Sequence, residues 1–232
     1  MPPAEDRAER AERILDAAAE LLLRAGYRRT TIEDVAERAV TGKGTVYLHW
    51  KNREELFLAV LLRESVRAIE DLVRAMEADP LATRLATLTR IQYTNVLAHP
   101  LLRAGHADDA GTLGKLLPKL HDQLDPRHDE AFVEYLELLA AHDLLRTDRP
   151  AGELAIAYRA VLHGFLVGNP PPEPALIADT VAHAFEPLAV STTQLRAVAP
   201  RAIALFSESV ALDRKRLERA YQNRGHRCAP ES

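Results

Sequence analysis

A single cysteine, Cys228, leaves the chain no means of forming an internal disulfide. No apolar run approaches the ~20 residues needed to cross a bilayer. The opening MPPAEDRAERAER also lacks the apolar core of a secretory signal. These absences predict a cytoplasmic protein with no membrane partner. Short β-branched or aromatic runs of period two, the mark of strands, are essentially missing. So are the arrangements that catalysis requires: no nucleophile elbow, no paired-cysteine motif, no helix carrying two histidines beside a glutamate. No enzyme, cofactor or metal site is therefore expected. A global excess of positive charge is missing too, since the formal net charge is −4.

What is present is a soluble, core-forming composition, with 47% hydrophobic and 28% charged residues. The length suits two small domains or one large one. Charge is unevenly placed. From Arg24 to Arg53 the chain carries Arg24, Arg28, Arg29, Arg38, Lys43, Lys51 and Arg53 against Glu33, Asp34 and Glu37, a local excess of four positive charges. A basic head on an acidic body is the distribution expected of a nucleic-acid-binding end carried by a second functional unit.

Almost every segment reads as helix. Ala11, Ile14, Leu15, Ala18, Leu21 and Leu22 form one apolar face of a helix over about 6–25, with Gly26 as its C-terminal cap. Thr31-Ile32-Glu33-Asp34 has the pattern of a capping box and opens a helix of two turns, with Ile32, Val35, Ala36 and Ala39 inward. A tight turn at Ala39-Val40-Thr41 leads to a third short helix over about 42–49, with Thr41 placed to cap it. Asn52 with Glu55 marks the start of a long helix to about residue 77. Asp79-Pro80 predicts a cap and a further helix ending at His99-Pro100. A short helix follows over about 101–107, then a polar loop over 108–114. An interrupted stretch broken at Asp125-Pro126 resumes to Arg146, and helices are predicted over about 152–167, 175–185 and 193–223.

Two short helices joined by a three-residue turn and backed by a longer one form a helix-turn-helix. Its second short helix belongs in the major groove, with its first residues toward base edges. Gly42 and Gly44 let the backbone approach closely. Lys43 projects from the first turn toward a base edge or a phosphate; Thr45, Tyr47 and His49 place hydrogen-bonding groups outside, while Val46 and Trp50 pack inward. Gly42-Lys43 is not a phosphate-binding loop, which needs glycine where Glu37 stands and Ser or Thr where Gly44 stands.

Residues 9–62, and above all the string TTIEDVAERAVTGKGTVYLHWKNREEL at 30–56, resemble the DNA-binding domain of the tetracycline-repressor family. Two departures are visible: Ala39-Val40 stands where Ala-Gly-Val is commoner, and Trp50 where phenylalanine is more usual. The resemblance implies phosphate contacts from Thr31, Thr45, Tyr47, His49 and Lys51 or Arg53, with Thr41, Gly42 and Lys43 facing bases. Plainer roles stand beside these: Thr31 as a cap alone, and His49 packed under Trp50. The resemblance further implies an all-α protein, with a three-helix head at 1–54, a larger helical ligand-binding and dimerisation domain at 55–222, and a polar tail at 223–232. Its implied partners are double-stranded operator DNA, a small-molecule effector and a second copy of the chain.

In the body the residues are less specific. Ala157, Ala160, Val161 and Gly164, with Phe165, Leu176 and Phe185 as bulky anchors, outline an apolar surface suited to a two-fold helix interface. The alternative is burial of these faces within one subunit. Tyr93, His99, His121, Tyr135, His142, Tyr158 and His163 are candidate pocket residues for a mostly apolar small molecule, against ordinary surface or core roles for each. A DNA-binding regulator, most simply a repressor released by ligand, is the function these features suggest; a ligand-independent DNA binder or a helical small-molecule carrier are the alternatives.

Overall fold

The computed structural model describes residues 4–107, 109–116, 118–119, 127–146 and 148–222. Among them there is no β-strand, and the all-α expectation holds. The helices are α1 (Ala4–Ala25), α2 (Ile32–Arg38), α3 (Lys43–His49), α4 (Arg53–Ala78), α5 (Leu85–Ala98), α6 (Pro100–His106), α7 (Arg127–Ala140), α8 (Ala151–Leu166), α9 (Pro174–Phe185) and α10 (Thr192–Gln222). A 3-10 turn, Pro80–Thr83, lies between α4 and α5. His121 and the tail at 223–232 fall outside the described residues.

The chain divides into two compact units. One takes 1–64, 108–123 and 213–232; the other takes 65–107 and 124–212. The division lies a few turns into α4, beyond the expected boundary at 54/55. The first unit also recruits a segment from the middle of the chain and the end of α10. Helices α4 and α10 each contribute residues to both units.

In the first unit the apolar face of α1 is fully internal: Ile14, Leu15, Ala18 and Leu22 are shielded from solvent, as are Val35, Val46, Leu56 and Phe57. α1 stops at Gly26, whose φ of +73° suits glycine, and where a Cβ would sit 2.8 Å from the carbonyl oxygen of Gly111. That contact belongs to the recruited segment. Tyr27 N donates to Thr112 O at 2.9 Å, and Leu113 and Leu116 are fully buried. Asp109 shapes it by accepting from Gly111 N, Thr112 N and Thr112 Oγ1 at 2.9, 3.2 and 2.7 Å. Tyr27 meets Phe57 edge-on, with centroids 5.5 Å apart. What reads in sequence as a polar loop is thus a strap tied to the end of α1. The buried Arg63 of α4 is neutralised by Asp16, Glu12 and Glu64 at 2.8, 3.0 and 3.2 Å.

The second unit closes around an aromatic core. Phe132 lies 4.8 Å from Tyr158, Tyr135 5.3 Å from Phe206, and Tyr158 6.2 Å from Phe185. Two sequence expectations need correction here. The helix expected from Asp79-Pro80 to His99 is split: Asp79 caps only the 3-10 turn through Leu81 N at 2.9 Å, and Arg84 is extended before α5 begins. The new helix start is capped from across the unit by Glu186. Its buried carboxylate accepts from Ala86 N at 2.8 Å and from Arg84 Nε and Nη2 at 2.8 and 2.7 Å. Second, α7 ends at Ala140 rather than near Arg146. Asp143 turns left-handed at φ 56°, with Asp143 N donating to Ala140 O and Leu144 N to Leu139 O.

Glu186→Ala should destabilise the protein by about 2 kcal/mol, because it leaves the buried Ala86 amide at the start of α5 without its acceptor. Urea unfolding followed by circular dichroism reads the loss.

Candidate nucleic-acid interface

The two short helices hold their places through their ends. Thr31 Oγ1 accepts from Asp34 N at 3.2 Å and donates to Asp34 Oδ2 at 2.7 Å, while Thr31 N donates to the same oxygen at 2.8 Å. The Thr31 hydroxyl and amide hold the Asp34 carboxyl below its usual range. At the other end of α2 the chain reverses through Val40, with Val40 N donating to Glu37 O at 3.1 Å and Thr41 N to Ala36 O at 2.9 Å. Val40 has φ 51°, a left-handed conformation that a β-branched residue adopts only under strain, and its side chain is 90% exposed. The expected cap by Thr41 is not made. Gly42 is the N-cap of α3, its carbonyl taking Thr45 N at 2.9 Å, and having no side chain it makes no side-chain cap bond.

α3 then splits its side chains cleanly. Val46 and Trp50 are buried; Lys43, Gly44, Tyr47 and Leu48 are exposed, with Thr41, Thr45 and His49 half-buried. The exposed Gly42 and Gly44 leave the start of the helix uncrowded. The ring of His49 lies 5.2 Å from that of Trp50, as the plainer reading of His49 anticipates. Trp50 Nε1 finds no hydrogen-bond partner among the described residues, a cost that a phenylalanine would avoid.

The cations of the head are less available than their number suggests. Arg38 pairs with Glu20 at 2.6 Å. Lys43 pairs with Glu33 of α2 and lies 5.9 Å from the Tyr47 ring centre. The bond to Glu33 raises the Lys43 amine above its usual range, and the same bond lowers the Glu33 carboxyl. Arg53 donates to Thr30 O at 2.9 Å and stacks 4.2 Å from the Tyr27 ring centre, so it lashes the start of α4 to the loop after α1. Lys51 is exposed, its amide taken by Glu55 at 2.8 Å, and Arg24, Arg28 and Arg29 are exposed as well. Glu33 is not marked by the sequence as a site residue, because its partner lies ten positions away, beyond the reach of i, i+4 spacing rules.

The body candidates separate. Tyr93, Tyr135 and Tyr158 come together in the core. Tyr158 donates to Gln92 Oε1 at 2.9 Å with Thr89 Oγ1 3.1 Å away, Tyr135 donates to Thr83 O at 2.6 Å, and Tyr93 to Pro172 O at 2.9 Å. Burial pushes the Tyr158 hydroxyl up to about 12. The histidines do not join them. His99 is half-buried where α5 gives way to α6, His142 is tied to Leu138 O at 2.9 Å, and His163 is exposed with Nδ1 3.0 Å from His106 O. On α8 and α9, Ala157, Ala160, Gly164 and Leu176 are exposed beside Ile156 and Val167, and Val161 and Phe165 are half-buried. Phe185 needs correction: it turns inward against Tyr158 and anchors the core, not the outer face.

A capped two-turn helix, a tight turn and a second short helix with a polar, exposed face define a helix-turn-helix head within an all-α protein. Residues 14–60 match the family described as bacterial regulatory proteins, tetR family. The chain is 43% identical over 54 residues to the uncharacterized HTH-type transcriptional regulator YvkB of Bacillus subtilis (strain 168), 23% of this chain and 29% of that protein. It is 30% identical over 131 residues to the HTH-type transcriptional repressor KstR of Rhodococcus jostii (strain RHA1), 48% of this chain and 58% of that protein. Both matches span less than two thirds of the relative. The fold is also that of the SmeT–triclosan complex, with TM-score 0.60 and 23% identity over 79% of this chain and 95% of that one. The family match is thus confined to the helix-turn-helix head, and the solved structure shares the all-α fold.

Val40→Gly should stabilise the protein by about 1 kcal/mol, since it relieves the left-handed strain and gives up no buried contact. A raised thermal midpoint with unchanged helix content checks it.

Proposed function

We propose that the chain is a homodimeric, sequence-specific DNA-binding transcriptional regulator of the cytoplasm, a repressor released from its operator by a small, mostly apolar ligand. The observation that carries this reading is the split of α3: Val46 and Trp50 anchor it inside, while Lys43 and Tyr47 stand outside beside a half-buried Thr45, with Lys51 just beyond. Thr31, Tyr47, Thr45, His49 and Lys51 take phosphates, and Thr41, Gly42 and Lys43 face bases. Arg53 serves through its lash to Thr30 O, which sets where Thr31 and α2 begin. KstR's description as a transcriptional repressor supports the direction of control.

A second copy is joined through the exposed small-residue face of α8 and α9, around Ala157, Ala160, Gly164 and Leu176. Two heads then match successive major grooves about 34–36 Å apart. The ligand is received near the hydroxyls of Tyr158, Tyr135 and Tyr93, in surroundings apolar enough to favour an apolar molecule with few polar groups. Triclosan bound to SmeT, a protein of the same fold, supports a small-molecule effector. A ligand that prefers a body with a different head spacing must weaken DNA binding by the same factor that DNA weakens ligand binding.

A mobility-shift assay with the DNA upstream of the gene tests the head. A sequence-specific shift is expected, with Tyr47→Phe weakening it several-fold on every sequence and Lys51→Ala lowering the salt slope by about one. No specific shift by the unaltered chain sinks the reading. Ala160→Arg tests the assembly: sedimentation should report monomers and the operator shift should fall. A dimer that persists with full operator affinity moves the interface elsewhere.

A further inference from the structure

We propose that Glu33 is a specificity-determining residue that reads, jointly with Lys43, one G·C base pair in each half-site. This rests on the DNA-binding reading above and goes beyond it, since it assigns base readout to α2 as well as α3.

Glu33 Oε1 is paired with Lys43 Nζ, so the carboxylate stands where the first side chain of α3 ends. Both side chains are half-exposed, at 59% and 50%, and neither is held by the core. An acidic group at a DNA-facing surface has no favourable partner on the backbone: phosphate oxygens only repel it. The donors within reach in the major groove are the exocyclic amines of cytosine and adenine.

The lysine narrows the choice. Its ammonium has three protons, of which Glu33 takes one, leaving two for guanine N7 and O6. An ionised carboxylate accepts several hydrogen bonds at once and so can keep the ammonium while it takes a cytosine N4 proton. In the major groove a G·C pair presents two acceptors followed by a donor. A preformed cation–carboxylate pair presents the complementary row. The A·T pair interrupts it with a second acceptor and a methyl group. The nearby Tyr47 ring, 5.9 Å from the ammonium, helps confine where the cation can swing.

The pairing also changes the arithmetic of non-specific binding. A lysine neutralised by its own carboxylate contributes little to counterion release, so Glu33 suppresses affinity for random DNA while sharpening one position. Discrimination and bulk affinity therefore move in opposite directions when Glu33 is lost. A simple surface ion pair would change the second and leave the first alone.

Binding-site selection from randomised duplexes tests this, using the full chain, Glu33→Ala, Glu33→Gln and Lys43→Ala, each with unchanged circular dichroism. The unaltered chain should enrich G·C at one position per half-site by roughly tenfold. Glu33→Ala and Lys43→Ala should both flatten that same position and spare the others, and Glu33→Ala should raise affinity for random DNA at low salt. Glu33→Gln, which keeps a neutral acceptor, should retain part of the preference. Loss of preference at different positions in the two alanine variants overturns the proposal, as does an A·T pair at the shared position. So does a Glu33→Ala profile with unchanged base preferences. Failure of the unaltered chain to select any sequence defeats the DNA-binding reading itself, and this inference with it.

Discussion

Two helices of seven residues each, α2 and α3, carry the exposed face of the head, and a helix that short does not persist alone in water. Everything around them answers that constraint. The Thr31–Asp34 box satisfies amides that a two-turn helix would otherwise leave open, and the reversal at Val40 closes the other end. Val46 and Trp50 pin α3 from below, and Arg53 ties the start of α4 to the carbonyl just before the box. The strap at 109–116 extends the same logic to α1, since its Thr112 carbonyl takes the amide of Tyr27, whose ring carries Arg53. Anchorage is thus a closed circuit from strap to Tyr27 to Arg53 to Thr30 and on to α2.

Charge in the head follows from the same economy of space. Seven cations in thirty residues would repel one another, and the fold disperses them by giving Arg38 to Glu20, Lys43 to Glu33 and Arg53 to a ring and a carbonyl. Lys51, Arg24, Arg28 and Arg29 remain exposed. The count of seven cations thus includes three, Arg38, Lys43 and Arg53, that the fold already engages.

Features set by near neighbours were legible in sequence: the Gly26 stop, the Thr31 box, the Asn52 start of α4 and the inward Val46 and Trp50 all rest on spacings of a few residues. Two of the misjudged features depend on distant partners. Arg84 breaks the helix after Pro80 because Glu186, from far along the chain, caps the start of α5. The strap reads as a polar loop because nothing local announces that Leu113 and Leu116 will be buried. Thr41 has a capping side chain, yet the first helical bonds, from Thr45 N and Val46 N, go to Gly42 O, so Gly42 is the N-cap. Among the described residues the candidate histidines stay apart from the buried tyrosines, His163 exposed and His99 and His142 half-buried, and no periodicity in the sequence marks them.

Phe185 and Leu176 show how far a helix face can be read without its neighbours. Both lie on α9, both are large and apolar, and composition alone gives no ground to separate them. Their offset of nine residues is two and a half turns, which sets them on opposite faces of one helix. Phe185 meets Tyr158 in the core, so the face bearing Leu176 must be the outer one. On α8 the same rule applies: Leu154, Tyr158 and Leu162 run inward, leaving Ile156, Ala160 and Gly164 outside. The two helices therefore expose apolar residues, Ile156, Ala157, Ala160, Gly164 and Leu176, among the exposed polar residues Glu153, Arg159, His163, Asp179 and His183. Exposed apolar side chains of this kind are what the proposed contact with a second copy would cover.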